Sequence, residues 1–191
     1  MNNDVVEVFK KGGIVIFPTD TAYGIGCRLD NEESVKKVYE IRNRPHEKAM
    51  IALVGSVEMA EIYVDIPDQV KEKLLNKYWP GGLTVIFNCK KDKVPAIVRS
   101  DGPTLAVRFA DQKEIVETIN LLGVPIIAPS ANYSGEMTPT TLSEVDPTLL
   151  KKVDFVMNGM CTIKGVSTIV DTTVTPWKIV REGVVDIIID D

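Results

Sequence analysis

Short β-rich runs alternate with segments of helical periodicity along most of the sequence. That order is typical of an α/β fold, in which helices cover a sheet. In the first part of the chain a helical segment separates most runs, whereas the runs after residue 165 follow one another at hairpin-like spacing. Helical crossovers favour parallel neighbours and short turns favour antiparallel ones, so the sequence predicts a mixed sheet flanked by helices.

The predicted strands are the runs richest in β-branched and aromatic residues, and they cover residues 14–17, 50–54, 83–88, 104–109, 125–128, 155–157, 168–170, 178–181 and 184–189. The predicted helices are a short one that Asp4 can cap and Gly12 and Gly13 end, a second at 32–44 that Asn31 can cap and Pro45 stops, and three more near 56–63, 67–78 and 112–122.

The stretch FPTDTAYGIG follows the first predicted strand and is predicted to be the loop that leaves it. It gathers Thr19, Thr21 and Tyr23, with Gly24 and Gly26 behind them. Threonine and aspartate often satisfy loop amides, and glycine supplies positive φ angles. A plain polar turn and a ligand site therefore account for this stretch equally well.

The 191 residues are enough for one sizeable core, so we expect a single domain over residues 1–191. Hydrophobic residues make up 45% of the chain without any run of roughly 20 apolar residues, so a membrane protein is not expected. The first residues mix charged and apolar side chains, unlike a secretory signal, and predict a cytoplasmic protein. The net charge of −5 argues against indiscriminate nucleic-acid binding but allows a local basic pocket.

Familiar catalytic templates are absent from the sequence. There is no GxxxxGK[ST] loop, and Gly24-x-Gly26 lacks the third glycine of a dinucleotide-binding fingerprint. His46 is the only histidine and lies among charged residues, so a Ser-His-Asp or Cys-His device is not expected. The three cysteines are far apart, which argues against a disulfide framework or a zinc site. A metal ion would arrive with a substrate phosphate, as Mg²⁺.

Hydroxyl, amide and cationic side chains instead gather where predicted strands and helices end. Ligand sites in open α/β sheets gather at strand ends, although turns also favour Ser and Asn, so both interpretations stay open for each motif. Arg42 differs, because it lies four residues after Val38 on the helix face that points inward, where a cation needs an anion. The motifs are R-x-R-P-x-x-K at 42–48, DGPTLAVRF at 101–109, APSANYSG at 128–135, GVSTIVD at 165–171 and IVREG at 179–183.

Seven motifs occur in the order and spacing of the YrdC/Sua5 family: FPTDTAYGIG, the R-x-R-P-x-x-K element, WPGGLT, LAVRF, APSANYSG, STIVD and IVREG. They span residues 14–183, and on them the chain resembles members of that family. The resemblance implies a YrdC-like twisted open α/β sheet with a concave cationic cavity. It also indicates the short, TsaC-like form without the C-terminal Sua5 domain.

The resemblance further implies an L-threonylcarbamoyladenylate synthase, which joins L-threonine, bicarbonate and ATP, with Mg²⁺, to give threonylcarbamoyl-AMP and pyrophosphate. That product serves threonylcarbamoyladenosine formation in tRNA through a separate TsaD-like t6A transferase, so contact with tRNA would be indirect. Two alternatives stay open. One is an RNA-binding module for double-stranded RNA or tRNA, and the other is a YciO-like protein that acts on a different carbamoyl-type substrate.

Carried over residue by residue, the family motifs imply three groups of site residues. The catalytic group comprises Arg42, Arg44 and Lys48, with Arg42 at the position where family members commonly have lysine. The ATP contacts are Arg44, Lys48, Thr104, Ser130, Asn132, Thr138 and Arg181. The L-threonine contacts are Thr19, Thr21, Tyr23, Arg108 and Ser167.

Overall fold

The structure is a computed structural model and describes residues 2–188. Its strands are β1 (Val15–Pro18), β2 (Tyr23–Gly26), β3 (Ile51–Leu53), β4 (Leu83–Asn88), β5 (Thr104–Arg108), β6 (Ile126–Ile127), β7 (Phe155–Val156), β8 (Thr168–Asp171) and β9 (Lys178–Arg181). Its α-helices are α1 (Asn2–Lys10), α2 (Glu32–Ile41), α3 (Val57–Tyr63), α4 (Asp68–Val70), α5 (Asn76–Tyr78), α6 (Lys113–Leu122) and α7 (Pro147–Leu150). A 3-10 turn, Leu142–Glu144, precedes α7.

Six strands form a mixed sheet in the order β6-β3-β5-β4-β8-β9. β3 pairs with β5 and β4 with β8 in parallel, and the other pairs in this sheet are antiparallel. The predicted mixed α/β fold is therefore confirmed, including the antiparallel pairing of the two strands after residue 165. A smaller sheet with the order β2-β1-β7 adds to it and was not expected from the sequence.

The stretch FPTDTAYGIG is not simply a loop, because its second half is strand β2, which returns antiparallel along β1. The expectation of a strand-exit loop was wrong there, since a strand with two glycines lacks the usual β-forming composition. The glycines serve close packing rather than positive φ. A Cβ on Gly26 would lie 1.8 Å from the Ile127 carbonyl oxygen, and one on Gly24 would lie 2.8 Å from the Phe17 ring.

Helix α2 begins as the sequence predicts but ends earlier. The Asn31 side chain accepts a hydrogen bond from the Ser34 amide at 3.1 Å and caps the helix. The helix ends at Ile41 rather than at residue 44, because Asn43 adopts the left-handed conformation, with a φ of 50°. Arg42 consequently becomes the C-terminal cap of α2.

Two other predicted elements differ from the structure. The single helix expected at 67–78 is divided into α4 and α5 by the π-helical segment Lys71–Leu75. The strand expected at 184–189 does not form over residues 184–188, where side chains such as Ile188 are exposed, and Ile189 lies outside the described residues. Hydrophobic composition alone predicted this strand, and composition does not supply a pairing partner.

Two buried hydrophobic clusters hold these layers together. One includes the inward faces of α1, β1 and α6, with Phe9, Phe17 and Ile119 fully buried. The larger one packs α2 and β2 against the six-stranded sheet through residues such as Val38 and Val85. No helix in the region that the structure describes is long and apolar enough to cross a lipid bilayer.

We expect Gly26→Ala to lower the free energy of unfolding by roughly 1–3 kcal/mol, because an added methyl group would overlap the Ile127 carbonyl oxygen and push β2 away from β6. Urea denaturation of both proteins measures the difference. Gly102→Ala is the matched control, since its Cβ would meet its nearest neighbour, the Arg99 carbonyl oxygen, at 3.1 Å. Equal destabilisation by the two substitutions would show that the close contact at β2 does not matter.

Candidate active site

A cavity of about 130 Å³ lies where one edge of the six-stranded sheet meets the β1–β2 hairpin. The strand registers place Arg108 opposite Thr84, and Arg181 opposite Ile169, so the ends of β5 and β9 and the starts of β4 and β8 share this edge. Nine of the predicted site residues line the cavity: Thr19, Thr21, Tyr23, Arg42, Arg44, Arg108, Ser130, Ser167 and Arg181.

Arg42 and Arg44, just after α2, form one cationic wall of the cavity. Arg42 is only 2% exposed. The Arg44 guanidinium is fixed by two hydrogen bonds, which it donates to the carbonyl oxygens of Lys48 (3.1 Å) and Ala49 (2.9 Å). Burial lowers the pKa of both arginines, and for Arg42, where repulsion from Arg44 adds to it, the pKa falls to about 10.

Arg42 ties the end of α2 to the segment that carries Ser130 and Asn132. Its Nε donates to the Asn132 carbonyl oxygen at 3.0 Å, and its Nη2 donates to Asn132 Oδ1 at 3.2 Å and Ser130 Oγ at 3.4 Å. The Ser134 amide donates in turn to the Arg42 carbonyl oxygen. Arg42 Nη1 is buried and has no hydrogen-bond partner among residues 2–188, so this cation lacks an anion.

Arg108 also lines the cavity, and a carboxylate neutralises it. Its Nη2 donates to Asp20 Oδ1 at 2.5 Å, its Nη1 to Thr21 Oγ1 at 2.7 Å and its Nε to the Gly81 carbonyl oxygen at 2.9 Å. Both partners of this ion pair are buried, at 7% and 0% side-chain exposure. Burial lowers the pKa of Arg108, and the Asp20 carboxylate opposes that shift.

The hydroxyls of the β1–β2 connection are largely occupied by the protein itself. The Thr19 hydroxyl donates to the Ala22 carbonyl oxygen at 2.7 Å and accepts from the amides of Thr21 and Ala22, which closes the turn. The Tyr23 hydroxyl donates to the Gly159 carbonyl oxygen at 2.6 Å. Thr19 therefore has a structural task in this turn, whereas Thr21 contacts the guanidinium of Arg108.

Arg181 is held against the start of β8. Its Nε and Nη2 donate to the Ser167 carbonyl oxygen, and Nη2 also donates to Ser167 Oγ at 2.9 Å. Ser167 Oγ shares a further hydrogen bond of 2.8 Å with buried Thr84 Oγ1. Gly183 permits this close approach, since a Cβ there would lie 2.3 Å from the Val166 carbonyl oxygen.

The cavity has a strong excess of positive charge. It is lined by Arg42, Arg44, Arg108 and Arg181, and by no acidic side chain among the described residues. Of these four arginines, only Arg108 forms an ion pair with a described carboxylate, that of Asp20. Burial also lowers the pKa of Arg181, with the charge of Arg108 as a second cause. Three unpaired guanidiniums in one pocket favour a polyanionic ligand.

Four predicted site residues do not line the cavity: Lys48, Thr104, Asn132 and Thr138. Asn132 lies directly behind the wall, where it contacts Arg42, and Lys48 is exposed on the loop after α2. Thr104 starts β5, four residues and about 13 Å from Arg108 along the strand. Thr138 is followed by Pro139, whose carbonyl oxygen accepts a hydrogen bond from the amide of Tyr23 at the start of β2.

Two residues of this site were not predicted from the sequence. Asp20 and Thr84 both belong to the motifs quoted above. Each forms a hydrogen bond with another side chain of the site, Asp20 with Arg108 and Thr84 with Ser167. For Asp20 a signal existed, because it is the one carboxylate in FPTDTAYGIG, where it stands between two threonines. For Thr84 only the pairing of β4 with β8 reveals the contact.

A family model for the Sua5/YciO/YrdC group, described as "Telomere recombination", matches residues 7–183 of the chain. The chain is 39% identical over 188 residues to the putative threonylcarbamoyl-AMP synthase of Methanocaldococcus jannaschii, covering 96% of this chain and 87% of the relative. It is 35% identical over 176 residues to the threonylcarbamoyl-AMP synthase of Pyrococcus abyssi, covering 91% of this chain but 51% of the relative. The chain thus spans about half the length of that relative.

Solved structures show the same similarity. Sua5 of P. abyssi complexed with L-threonine superposes with a TM-score of 0.89 at 31% identity, covering 95% of this chain and 54% of that one. YciO of E. coli superposes with a TM-score of 0.87 at 25% identity, covering 97% of this chain and 90% of that one. The twisted mixed sheet and its flanking helices are therefore common to these three proteins.

Proposed function

The chain belongs to the Sua5/YciO/YrdC family, and on that premise we propose that it is a threonylcarbamoyl-AMP synthase. The cavity with three unpaired guanidiniums carries the proposal, because the reaction needs a site for a triphosphate and an amino-acid carboxylate together. The names of the two relatives described above support it. The same proposal includes a separate TsaD-like t6A transferase that uses the product, so that contact with tRNA is indirect. It also includes a cytoplasmic location.

The proposed reaction consumes L-threonine, bicarbonate and ATP and yields threonylcarbamoyl-AMP, pyrophosphate and water. The threonine ammonium first loses a proton to the solvent; its nitrogen then bonds to the bicarbonate carbon and water leaves, which forms a carbamate. A carbamate oxygen then bonds to the α-phosphorus, and the bond from this phosphorus to the bridging oxygen of pyrophosphate breaks. This is a nucleotidyl transfer without a covalent enzyme intermediate, so positioning and charge compensation are the tasks of the protein.

The proposed roles follow the positions of the side chains. Arg44 and Arg181 would neutralise the charge that develops on the triphosphate, together with Lys48 from the exposed loop. Arg108 would bind the threonine carboxylate, because a planar guanidinium donates to a carboxylate at two points. Arg42 belongs to the proposed catalytic group with Arg44 and Lys48. The remaining proposed ATP contacts are Thr104, Ser130, Asn132 and Thr138, and the remaining threonine contacts are Thr19, Thr21, Tyr23 and Ser167.

Mg²⁺ enters this proposal as part of the ATP substrate. Among residues 2–188 there is no group of three or more His, Cys, Asp or Glu side chains placed to hold a metal ion. The arginines of the cavity suit a metal–triphosphate complex, since guanidiniums would donate hydrogen bonds to phosphate oxygens that the metal does not bind.

Pyrophosphate release tests the proposed function. With ATP and Mg²⁺ present, we expect release only when both L-threonine and bicarbonate are added, because the carbamate is the nucleophile. Omitting each in turn gives the controls, and the nucleotide product is identified by mass spectrometry. Release that requires neither would indicate an ATPase, and release without bicarbonate would indicate an aminoacyl-adenylate instead.

The similarity to YciO over 90% of that chain favours one second candidate, a related enzyme that acts on another amine in the same cavity. Replacing threonine with serine, valine and other amino acids in the release assay separates the two. A binding module for RNA would instead bind tRNA at moderate salt without any nucleotide, and a salt titration measures that directly.

A further inference from the structure

Asp20 is a buried carboxylate directly behind the cavity lining, next to Thr19, Thr21 and Arg108, and one of its oxygens is unused. Its residue exposure is 0%, and its Oδ1 accepts from Arg108 Nη2 at 2.5 Å. Its Oδ2 has no hydrogen-bond partner among residues 2–188. A buried carboxylate oxygen without a donor costs free energy, so an oxygen of this kind points to a ligand that supplies the donor.

The charges around the cavity restrict which ligand group can be that donor. The lining residues include four arginines and no carboxylate in the described range, so an ammonium group within the cavity meets repulsion on most sides. Asp20 lies between the lining residues Thr19 and Thr21 and is the carboxylate that pairs with one of those arginines. An ammonium group is therefore stabilised more at the part of the lining that covers Asp20 than elsewhere in this cavity.

Arg108 has donors left for the other half of such a ligand. A guanidinium carries five N–H groups, and Arg108 uses one on Nε, one on Nη1 and one on Nη2 in its contacts with Gly81, Thr21 and Asp20. One N–H on each terminal nitrogen thus stays available for a ligand carboxylate. The carboxylate and ammonium of an α-amino acid are attached to one carbon, so they need a donor and an acceptor side by side, as Arg108 and Asp20 are.

We propose that Asp20 Oδ2 binds the α-ammonium of the amino-acid substrate while Arg108 binds its carboxylate, so that the ion pair selects a zwitterion. The inference rests on the proposed function and adds to it a residue that recognises the amine. Two other roles for Asp20 compete with it. In the first, Asp20 acts solely by holding Arg108 in place. In the second, Asp20 acts on the thiol of buried Cys161, whose pKa is raised by burial and, to a smaller extent, by the Asp20 charge.

Titration calorimetry with two ligands separates these roles. L-threonine carries both charged groups, and 3-hydroxybutanoate lacks the amine but keeps the carboxylate and the hydroxyl. The wild-type protein should bind threonine about 10-fold or more tightly than 3-hydroxybutanoate, and Asp20→Asn should bring that ratio close to one. If Asp20→Asn weakens both ligands by the same factor, Asp20 only positions Arg108 and the proposal is overturned.

Cys161→Ala is the matched control, because it removes the other neighbour of Asp20 and should keep the wild-type preference for threonine. Loss of that preference in Cys161→Ala as well would overturn the proposal. A second measurement needs no variant: threonine binding at neutral pH, in two buffers of different ionisation enthalpy, should release no proton. Release of one proton would mean that the amine binds neutral, against the proposal. Failure of the proposed function looks different, since the wild-type protein would then not bind threonine at all.

Discussion

Replacing Arg181 with glutamine should lower kcat/KM for threonylcarbamoyl-AMP formation about 100- to 1000-fold, the usual cost of removing one preorganised donor from a developing charge. Arg181 lines the cavity, and no described carboxylate neutralises it. The free energy of unfolding should change by less than about 1 kcal/mol, because the side chain is partly exposed and its partners are oxygens of Ser167. Pyrophosphate release and urea denaturation measure the two quantities.

Arg99→Gln is the matched control for this experiment. Arg99 also donates its guanidinium hydrogens to main-chain oxygens, those of Val94 and Gly102, but it does not line the cavity. The control should keep kcat/KM within about threefold of the wild-type value. If Arg181→Gln retained the wild-type rate, charge compensation by Arg181 would be excluded.

The sheet could be predicted from the sequence because its strands are short hydrophobic runs between clear breakers. Two strands, Leu83–Asn88 and Lys178–Arg181, have the predicted bounds. β2 could not be predicted in this way, since Gly24 and Gly26 are selected by contacts with Phe17 and Ile127 rather than by strand propensity. Local composition thus predicts elements that form on hydrophobicity, and it misses elements that depend on a close approach by another strand.

In the candidate site, too, local sequence predicts some features, whereas contacts between distant strands determine others. Arg42 was expected to need an anion from its helical position alone, and in the structure its guanidinium is buried without one among the described residues. The contacts of Asp20 with Arg108, and of Thr84 with Ser167, join residues more than 80 positions apart. Such pairs depend on strand register, which a single sequence does not specify. The sequence therefore indicates which side chains line the site. It does not indicate as well which other side chains hold them in position.

Replacing Arg42 with methionine should lower kcat/KM by about 1000-fold while the ligand-free protein keeps its stability. Two terms oppose each other in the free energy of unfolding. Burial of the unpaired guanidinium and its repulsion from Arg44 lower the pKa of Arg42 to about 10, and together they cost roughly 3 kcal/mol. The three hydrogen bonds from Arg42 to Ser130 and Asn132 contribute about 1 kcal/mol each and are lost with it. The net change should stay within about 1 kcal/mol in urea denaturation.

Pyrophosphate separates the charge of Arg42 from its hydrogen bonds. A ligand at about 100 times its Kd stabilises the protein that binds it by roughly 2.7 kcal/mol, and the wild-type protein should show this gain. Arg42→Met should lose most of it, because the remaining arginines bind the anion more weakly. Arg42→Lys keeps the charge but has one nitrogen for three contacts, so it should retain most of the gain with about a 10-fold loss of kcat/KM. Full stabilisation of Arg42→Met by pyrophosphate would instead mean that Arg42 serves only to hold the segment that carries Ser130 and Asn132.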